Sequence, residues 1–175
     1  MGKCAVIFCS ASEKIDPEFN RYARQAVRAI CQKGYDICSG GTVKGTMRVV
    51  SDEAAACGVQ VRGVLPRFMK GLEHPALTET VWTDSMSTRK EAMREGTDAA
   101  IALPGGIGTL DELVETYTLK KMGLYEGKVI AFNCGGFFEP FKKLLDHMVQ
   151  TAMLDEYSRT LIDFPESVEE LSSLL

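Results

Sequence analysis

The sequence predicts an α/β fold of the Rossmann-like type, with a doubly wound parallel sheet and helices on both faces. Short apolar runs alternate along the chain with longer amphipathic segments, which is the order that strand–helix–strand units produce. The short runs are apolar at nearly every position rather than at alternate ones. That pattern is typical of strands buried on both faces of a parallel sheet.

The first strand is predicted at the apolar run 4–9, and the first helix at 17–33. Phe19, Tyr22 and Ala26 recur there at helical spacing. Further strands are predicted at 35–39, 59–65, 80–83, 99–103, 128–132 and 161–162, and further helices at 45–57, 85–95, 110–122, 140–151 and 167–174. Glycine or proline ends most of these elements, namely Gly34, Gly58, Pro66, Gly96, Pro104 and Gly123. Residues 67–77 are predicted as a loop or a loose helix. Since no repeat or linker interrupts the pattern, we expect a single nucleotide-binding domain over residues 1–175.

The composition favours a small-molecule partner. The net charge is −4 and no run of five basic residues occurs, so we expect no nucleic acid partner. We expect no membrane partner either, because no apolar stretch approaches the roughly 20 residues that cross a bilayer. The six cysteines form no CxxC pair, and His74 and His147 are far apart. We therefore predict neither disulfides nor a metal site, and a cytoplasmic protein.

The strongest functional signal is the segment 103–112, Leu-Pro-Gly-Gly-Ile-Gly-Thr-Leu-Asp-Glu, between a buried strand and a helix. Its glycines let backbone N–H groups approach an anion, and a helix N-terminus adds unpaired donors. The segment lacks the spacing of a dinucleotide fingerprint and the Gly-Lys-Ser/Thr of a P-loop. We therefore predict a mononucleotide phosphate and no cofactor. Thr109 and Glu112 also fit a capping box, in which they would only close the helix.

Two more segments indicate a ligand site. The loop 39–47 is a second glycine-rich connection between a strand and a helix, although a tight turn alone would explain it. On the predicted helix 85–95, Met86, Arg89 and Lys90 fall on one side. Arg89 could hold an anion or polarise a base, and Lys90 could contact phosphate. The alternative is an ordinary helix with a methionine core face and a solvated basic rim.

With these residues assembled, the chain resembles the LOG ("lonely guy") family, the cytokinin riboside 5′-monophosphate phosphoribohydrolases that are often labelled lysine decarboxylases. The family hallmark Pro-Gly-Gly-x-Gly-Thr-x-x-Glu is matched in full by residues 104–112, and its Met-x-x-Arg-Lys element by residues 86–90. The order of elements agrees to about residue 133. The resemblance implies a Rossmann-like fold, a homodimer with its active site near the interface, and no decarboxylase chemistry.

The resemblance also implies the site residues. The catalytic pair falls on Arg89 and Glu112. The substrate contacts fall on Ser10, Gly41, Glu73, Met86, Lys90, Gly105, Gly106, Gly108, Thr109, Asp111 and Thr118. Ser87, Arg48 and Leu119 depart from the residues usual in the family, which leaves the accepted base open.

The predicted function is hydrolysis of the N-glycosidic bond of a nucleoside 5′-monophosphate, of the cytokinin riboside monophosphate or AMP type, to a free base and ribose 5-phosphate. Cleavage builds positive charge on the ribose, which the Glu112 carboxylate could stabilise while it orients water. Arg89 could neutralise charge near the departing base. The alternative is a non-catalytic carrier or sensor of a phosphorylated nucleotide-like cofactor, similar to molybdenum-cofactor carriers. A carrier needs only the glycine loop, so Arg89 and Glu112 favour the enzyme.

Overall fold

A six-stranded parallel sheet forms the centre of the molecule in the computed structural model, which describes residues 2–175. Its strands are β1 (Lys3–Phe8), β2 (Tyr35–Ser39), β3 (Val61–Pro66), β4 (Glu79–Thr83), β5 (Ala99–Ala102) and β6 (Lys128–Ala131). The strand order is β4-β3-β2-β1-β5-β6, and every neighbouring pair is parallel. The predicted fold class is confirmed.

Helices connect the strands. They are α1 (Pro17–Gln32), α2 (Gly45–Ala56), α3 (Met86–Arg94), α4 (Ile107–Lys121), α5 (Glu139–Gln150), α6 (Glu156–Arg159) and α7 (Val168–Leu174), with short 3-10 turns at Arg67–Met69 and Cys134–Gly136. The start of α1 shows how the sequence sets these bounds: the Asp16 side chain accepts a hydrogen bond from the Glu18 N–H, and Pro17 takes the first helical position. Within the described chain, no helix has the length and apolar character needed to span a membrane.

The sheet is covered on both faces. Helices α1, α2 and α7 pack on one face and α3, α4 and α5 on the other. In β1, Ile7 belongs to the first core and Phe8 to the second, and each is only 1% exposed. Alternate side chains of a strand point to opposite faces, so two buried faces require apolar residues at consecutive positions. This explains the continuous apolar runs in the sequence.

The structure differs from the prediction at three places. The strand predicted at 161–162 is wrong, because the chain makes only one isolated bridge, between Ile130 and Asp163, and then reaches Pro165, which has no N–H to continue a ladder. The single-turn helix α6 was not predicted; Asp155 caps it by accepting from the Ser158 N–H. Helix α4 begins at Ile107 rather than at residue 110.

The sheet has a topological switch point between β1 and β5. From β1 the chain moves outward through β2, β3 and β4, and it then returns to the other side of β1 to form β5 and β6. The connections that follow β1 and β5 therefore leave in opposite directions. A crevice opens between them beyond the carboxyl ends of the strands, where ligands of such folds bind.

Candidate active site

A cleft of about 490 Å³ lies at this switch point. Its walls come from the loops after β1, β2 and β3, from one side of α3 and from the start of α4. The structure thus brings together the three segments that the sequence analysis singled out. Nine of the predicted site residues line the cleft, namely Ser10, Met86, Arg89, Lys90, Gly106, Gly108, Thr109, Asp111 and Glu112.

The predicted catalytic residues form a buried ion pair in this cleft. Arg89 Nη1 donates to Glu112 Oε1 at 3.0 Å, and their side chains are 6% and 10% exposed. Arg89 Nε also donates to the carbonyl of Val64 at 2.9 Å. The guanidinium is therefore fixed between the end of β3 and the first turns of α4.

The surroundings of Glu112 act on its charge in opposite directions. Burial raises the pKa of the Glu112 carboxyl above its ordinary value, and the neighbouring Arg89 cation opposes that shift. Arg89 binds Oε1, and no described residue donates a hydrogen bond to Oε2. Since Glu112 lines the cleft, Oε2 is available to accept a hydrogen bond from a ligand or from water.

Gly40 makes room for the Arg89 guanidinium. A Cβ atom at this position would lie 2.3 Å from Arg89 Nη2 and 2.8 Å from Met47 Sδ. Both distances are too short for a real contact, so the Arg89 guanidinium and the Met47 side chain would each have to shift. Gly40 lies in the glycine loop 39–47 but was not a predicted site residue, because nothing in the neighbouring sequence shows that an arginine from α3 packs against it.

The start of α4 is open toward the cleft. Its N-cap is Gly106, and no side chain caps it. The capping-box interpretation of Thr109 and Glu112 is therefore wrong: Thr109 lies inside the first turn, and the Glu112 carboxylate pairs with Arg89. First-turn N–H groups have no partner within their helix, and a Cβ at Gly106 or Gly108 would meet no atom within 4 Å. The start of α4 thus combines N–H groups that lack a partner within the helix with open space beside two of its glycines.

Gly105 has a different role in the structure. A Cβ there would lie 2.1 Å from Thr109 Oγ1, so glycine is needed for the turn to pack against the first turn of α4. Gly105 does not line the cleft. Its predicted substrate contact remains a prediction.

Lys90 and Asp111 bind each other across the α3–α4 boundary. Lys90 Nζ donates to Asp111 Oδ2 at 3.0 Å and also forms an ion pair with Glu115. Arg94 of α3 contacts the same Glu115 carboxylate at 2.8 Å. Hydrogen bonds to Glu115 and Asp111 raise the pKa of Lys90, so its charge is retained but is neutralised by its neighbours. Neither Glu115 nor Arg94 was predicted as part of the site.

Three other predicted contacts are not brought to the cleft. Gly41 has a φ of 69° and serves the turn after β2. The Glu73 carboxylate accepts from the Gly71 N–H at 2.6 Å. Thr118 lies on the exposed side of α4, where its hydroxyl donates to the Val114 carbonyl.

Part of the cleft wall comes from residues that the sequence did not indicate. Met69 and Leu72 contribute from the loop after β3, which carries no recognisable motif. Lys44 and Met47 contribute from the second glycine loop, whose position after a strand was the available signal. His74 anchors the loop after β3, since it is 6% exposed and its Nε2 lies 3.2 Å from Asp52 Oδ1.

Comparisons with known proteins agree with this geometry. A family model described as possible lysine decarboxylase matches residues 47–175. The cytokinin riboside 5′-monophosphate phosphoribohydrolase LOG of Oryza sativa subsp. japonica is 30% identical over 167 residues, which cover 94% of this chain and 69% of that protein. The cytokinin riboside 5′-monophosphate phosphoribohydrolase of Mycobacterium tuberculosis is 31% identical over 147 residues, which cover 83% and 78% of the two chains.

Solved structures show the same fold. The molybdenum cofactor carrier protein of Chlamydomonas reinhardtii superposes with a TM-score of 0.78 at 17% identity, covering 99% of this chain and 96% of that one. At this identity the likeness is one of fold alone. The family model and the relatives at about 30% identity show the family as well as the fold. The chain belongs to the LOG family of cytokinin riboside 5′-monophosphate phosphoribohydrolases.

Proposed function

We propose that this protein, as one nucleotide-binding domain over residues 1–175, hydrolyses the N-glycosidic bond of a nucleoside 5′-monophosphate to a free base and ribose 5-phosphate. The observation that carries the proposal is the position of the Arg89–Glu112 pair, which lines the same cleft as the open N-terminus of α4. The activity is the one named in the relatives.

The start of α4 holds the 5′-phosphate. Unpaired N–H groups and the partial positive charge of a helix N-terminus favour an anion, and the open space over Gly106 and Gly108 admits it. Binding energy from the phosphate, which does not react, then positions the anomeric carbon C1′.

Glu112 and Arg89 carry the bond cleavage. The water oxygen bonds to C1′ and gives up one proton, the C1′–N bond breaks, and its electron pair leaves with the base, which takes up one proton, so that no net proton is gained or lost. Ionised Glu112 stabilises the positive charge that builds on the ribose and orients the water through Oε2. Arg89 supports the ionised form of Glu112 and offers its charge to the departing base.

The methionines of the cleft are the proposed contacts of the base. Met47, Met69 and Met86 line the cleft with apolar, adaptable side chains, which suit the flat face of a nucleobase. Adenine and N6-substituted adenines are the candidates that the family implies.

A substrate panel tests the proposal. The purified protein is incubated with AMP, N6-isopentenyl-AMP, GMP, CMP and UMP, and the free base is measured by chromatography. At least one purine nucleotide should release its base, and Glu112→Gln should lower turnover by at least ~100-fold, the usual scale for an acid–base residue, while still binding substrate. Full turnover by Glu112→Gln would refute the assignment of Glu112.

The carrier alternative makes a different prediction in the same panel. A carrier binds a phosphorylated ligand and returns it intact. The open start of α4 would suffice for that, and the buried Arg89–Glu112 pair would have no catalytic role. Binding of every nucleotide without release of base would favour the carrier.

We also propose a cytoplasmic homodimer with its active site near the interface and without a nucleic acid partner. All six cysteines are free, which fits a reducing compartment, and the net charge of −4 disfavours nucleic acid. Val114 and Thr118 lie on the exposed side of α4, away from the buried Glu112. A substrate contact by Thr118 would therefore require a partner copy.

A further inference from the structure

We propose that Lys44 pairs with the phosphate of the substrate, and that Lys90 instead positions α3 against α4. The inference rests on the proposed function, because it concerns the same cleft. It assigns a role to a residue that the sequence analysis did not select.

The charges that line the cleft carry the inference. They are Lys44, Arg89, Lys90, Asp111 and Glu112. Arg89 is paired with Glu112, and Lys90 with Asp111 and Glu115. Lys44 is exposed and forms no ion pair with any residue from 2 to 175. It is the cation of the cleft whose charge the protein itself does not neutralise.

The substrate offers one partner for this cation. A nucleoside 5′-monophosphate carries its negative charge on the phosphate alone. The N–H groups of α4 supply only partial charges, so a full cation that lines the same cleft complements them. Using Lys90 for this purpose would break its contacts with two carboxylates, whereas Lys44 has none to break.

The backbone that carries Lys44 is fixed. The Thr46 N–H donates to the Ser10 carbonyl at 2.9 Å. A Cβ at Gly45 would lie 2.6 to 2.8 Å from backbone atoms of residues 10–12, so the loop after β2 packs directly on the loop after β1. Lys44 thus projects from an anchored loop at the switch point.

The experiment compares AMP with adenosine, which lacks the phosphate. For Lys44→Ala we expect the KM for AMP to rise about 10-fold, the scale of one hydrogen bond to a charged group. The kcat should change much less, and kcat/KM for adenosine should stay the same. Lys44→Arg should keep most of the affinity for AMP. Lys33→Ala removes an exposed lysine at the end of α1, which is the other end of the sheet, and serves as the control.

Binding measured in the Glu112→Gln background separates this inference from the hydrolase proposal. The Kd for AMP should rise when Lys44→Ala is added, and it should then depend less on salt, because screening weakens ion pairs. Binding that depends on Lys44 without any release of base by the wild type would support Lys44 and refute the hydrolase. Equal losses on AMP and adenosine, an unchanged Kd, or no AMP binding at all would overturn the role of Lys44.

Discussion

At the scale of single residues, the charge of Glu112 decides what the cleft can do. An ionised carboxylate can stabilise a cationic ribose, and a protonated one cannot. Burial favours the protonated form, and Arg89 at 3.0 Å favours the ionised form. The outcome is a pKa of Glu112 above the ordinary value. The carboxylate is therefore a stronger base than an exposed one would be, and its ionised form depends on the charge of Arg89.

The titration of Glu112 tests this balance. In carboxyl-carbon NMR of the free protein, we expect the pKa of Glu112 to lie above the ordinary value of a glutamate. Arg89→Met should move its pKa further up, because the stabilising cation is lost while the burial remains. The free protein is needed because a substrate phosphate itself ionises near pH 6, and Glu112→Gln identifies the signal. A downward shift in Arg89→Met would contradict the electrostatic argument.

Gly40 provides a second test at the residue scale. Gly40→Ala places a methyl group where Arg89 Nη2 now lies, at 2.3 Å. The guanidinium must move, and a displacement of about 1 Å at a catalytic group can cost roughly 100-fold in rate. We expect a loss of kcat on that scale with a folded protein, as measured by steady-state kinetics and circular dichroism.

The control for Gly40 is Gly34, where the backbone conformation, and not the space for a side chain, requires glycine. Gly34 has a φ of 81° and open space around its Cβ position. Gly34→Ala should lower the free energy of unfolding by about 1 kcal/mol through backbone strain and leave kcat unchanged. If Gly40→Ala kept full activity, the packing of Arg89 against Gly40 would have no functional meaning.

At the scale of elements, charged pairs fix α3 against α4. Arg89, Lys90 and Arg94 of α3 face Glu112, Asp111 and Glu115 of α4. One of these pairs is the proposed catalytic pair, and the others join the same two helices next to it. The network therefore links helix packing to the geometry of Arg89 and Glu112.

Glu115→Gln tests that link. It removes the carboxylate shared by Lys90 and Arg94, and Arg94 is 8% exposed. We expect a loss of about 1–2 kcal/mol in the free energy of unfolding, below the cost of breaking a fully buried pair because Glu115 is partly exposed. The kcat should fall on AMP and adenosine alike, unlike the effect of Lys44→Ala.

A matched change on α5 shows what an exposed pair contributes. Lys143 contacts Glu139 at 3.7 Å, and its side chain is 74% exposed. Lys143→Ala should change the free energy of unfolding by less than about 0.5 kcal/mol. Denaturant unfolding of both variants gives the comparison, and equal effects would show that the α3–α4 network has no special weight.

The sequence predicted the elements better than the contacts between them. The strand 35–39 has the predicted bounds, because a strand buried on both faces leaves a continuous apolar signal. The roles of Lys90 and Glu112 could not be predicted in the same way. Whether Lys90 is free and whether Glu112 caps its helix depend on how closely α3 approaches α4, and that distance is set by packing between segments far apart in the chain. Likewise, Met69 and Leu72 reach the cleft from a loop without any motif.

At the scale of the whole molecule, α4 joins the cleft to an exposed apolar surface. Glu112 is buried beside the cleft, whereas Ile107 is 83% exposed and Val114 is 38% exposed. Ile107 also lines an apolar groove of about 450 Å³ against α5, where Leu144 is 48% exposed. Exposed apolar surface of this kind marks interaction sites, and a second copy is the partner that the proposed homodimer requires.

Leu144→Asp should disrupt that dimer. A charge in an apolar interface loses its water without gaining a partner, so the wild type should sediment as a dimer and the variant as a monomer in analytical ultracentrifugation. Phe68→Asp changes another exposed apolar residue, in the turn after β3 and 71% exposed, and should leave the dimer intact. Because the proposed active site lies near the interface, the monomer should also lose activity in proportion to the dimer lost. A wild type that is monomeric and fully active at micromolar concentration would refute the proposed dimer and, with it, a substrate contact by Thr118.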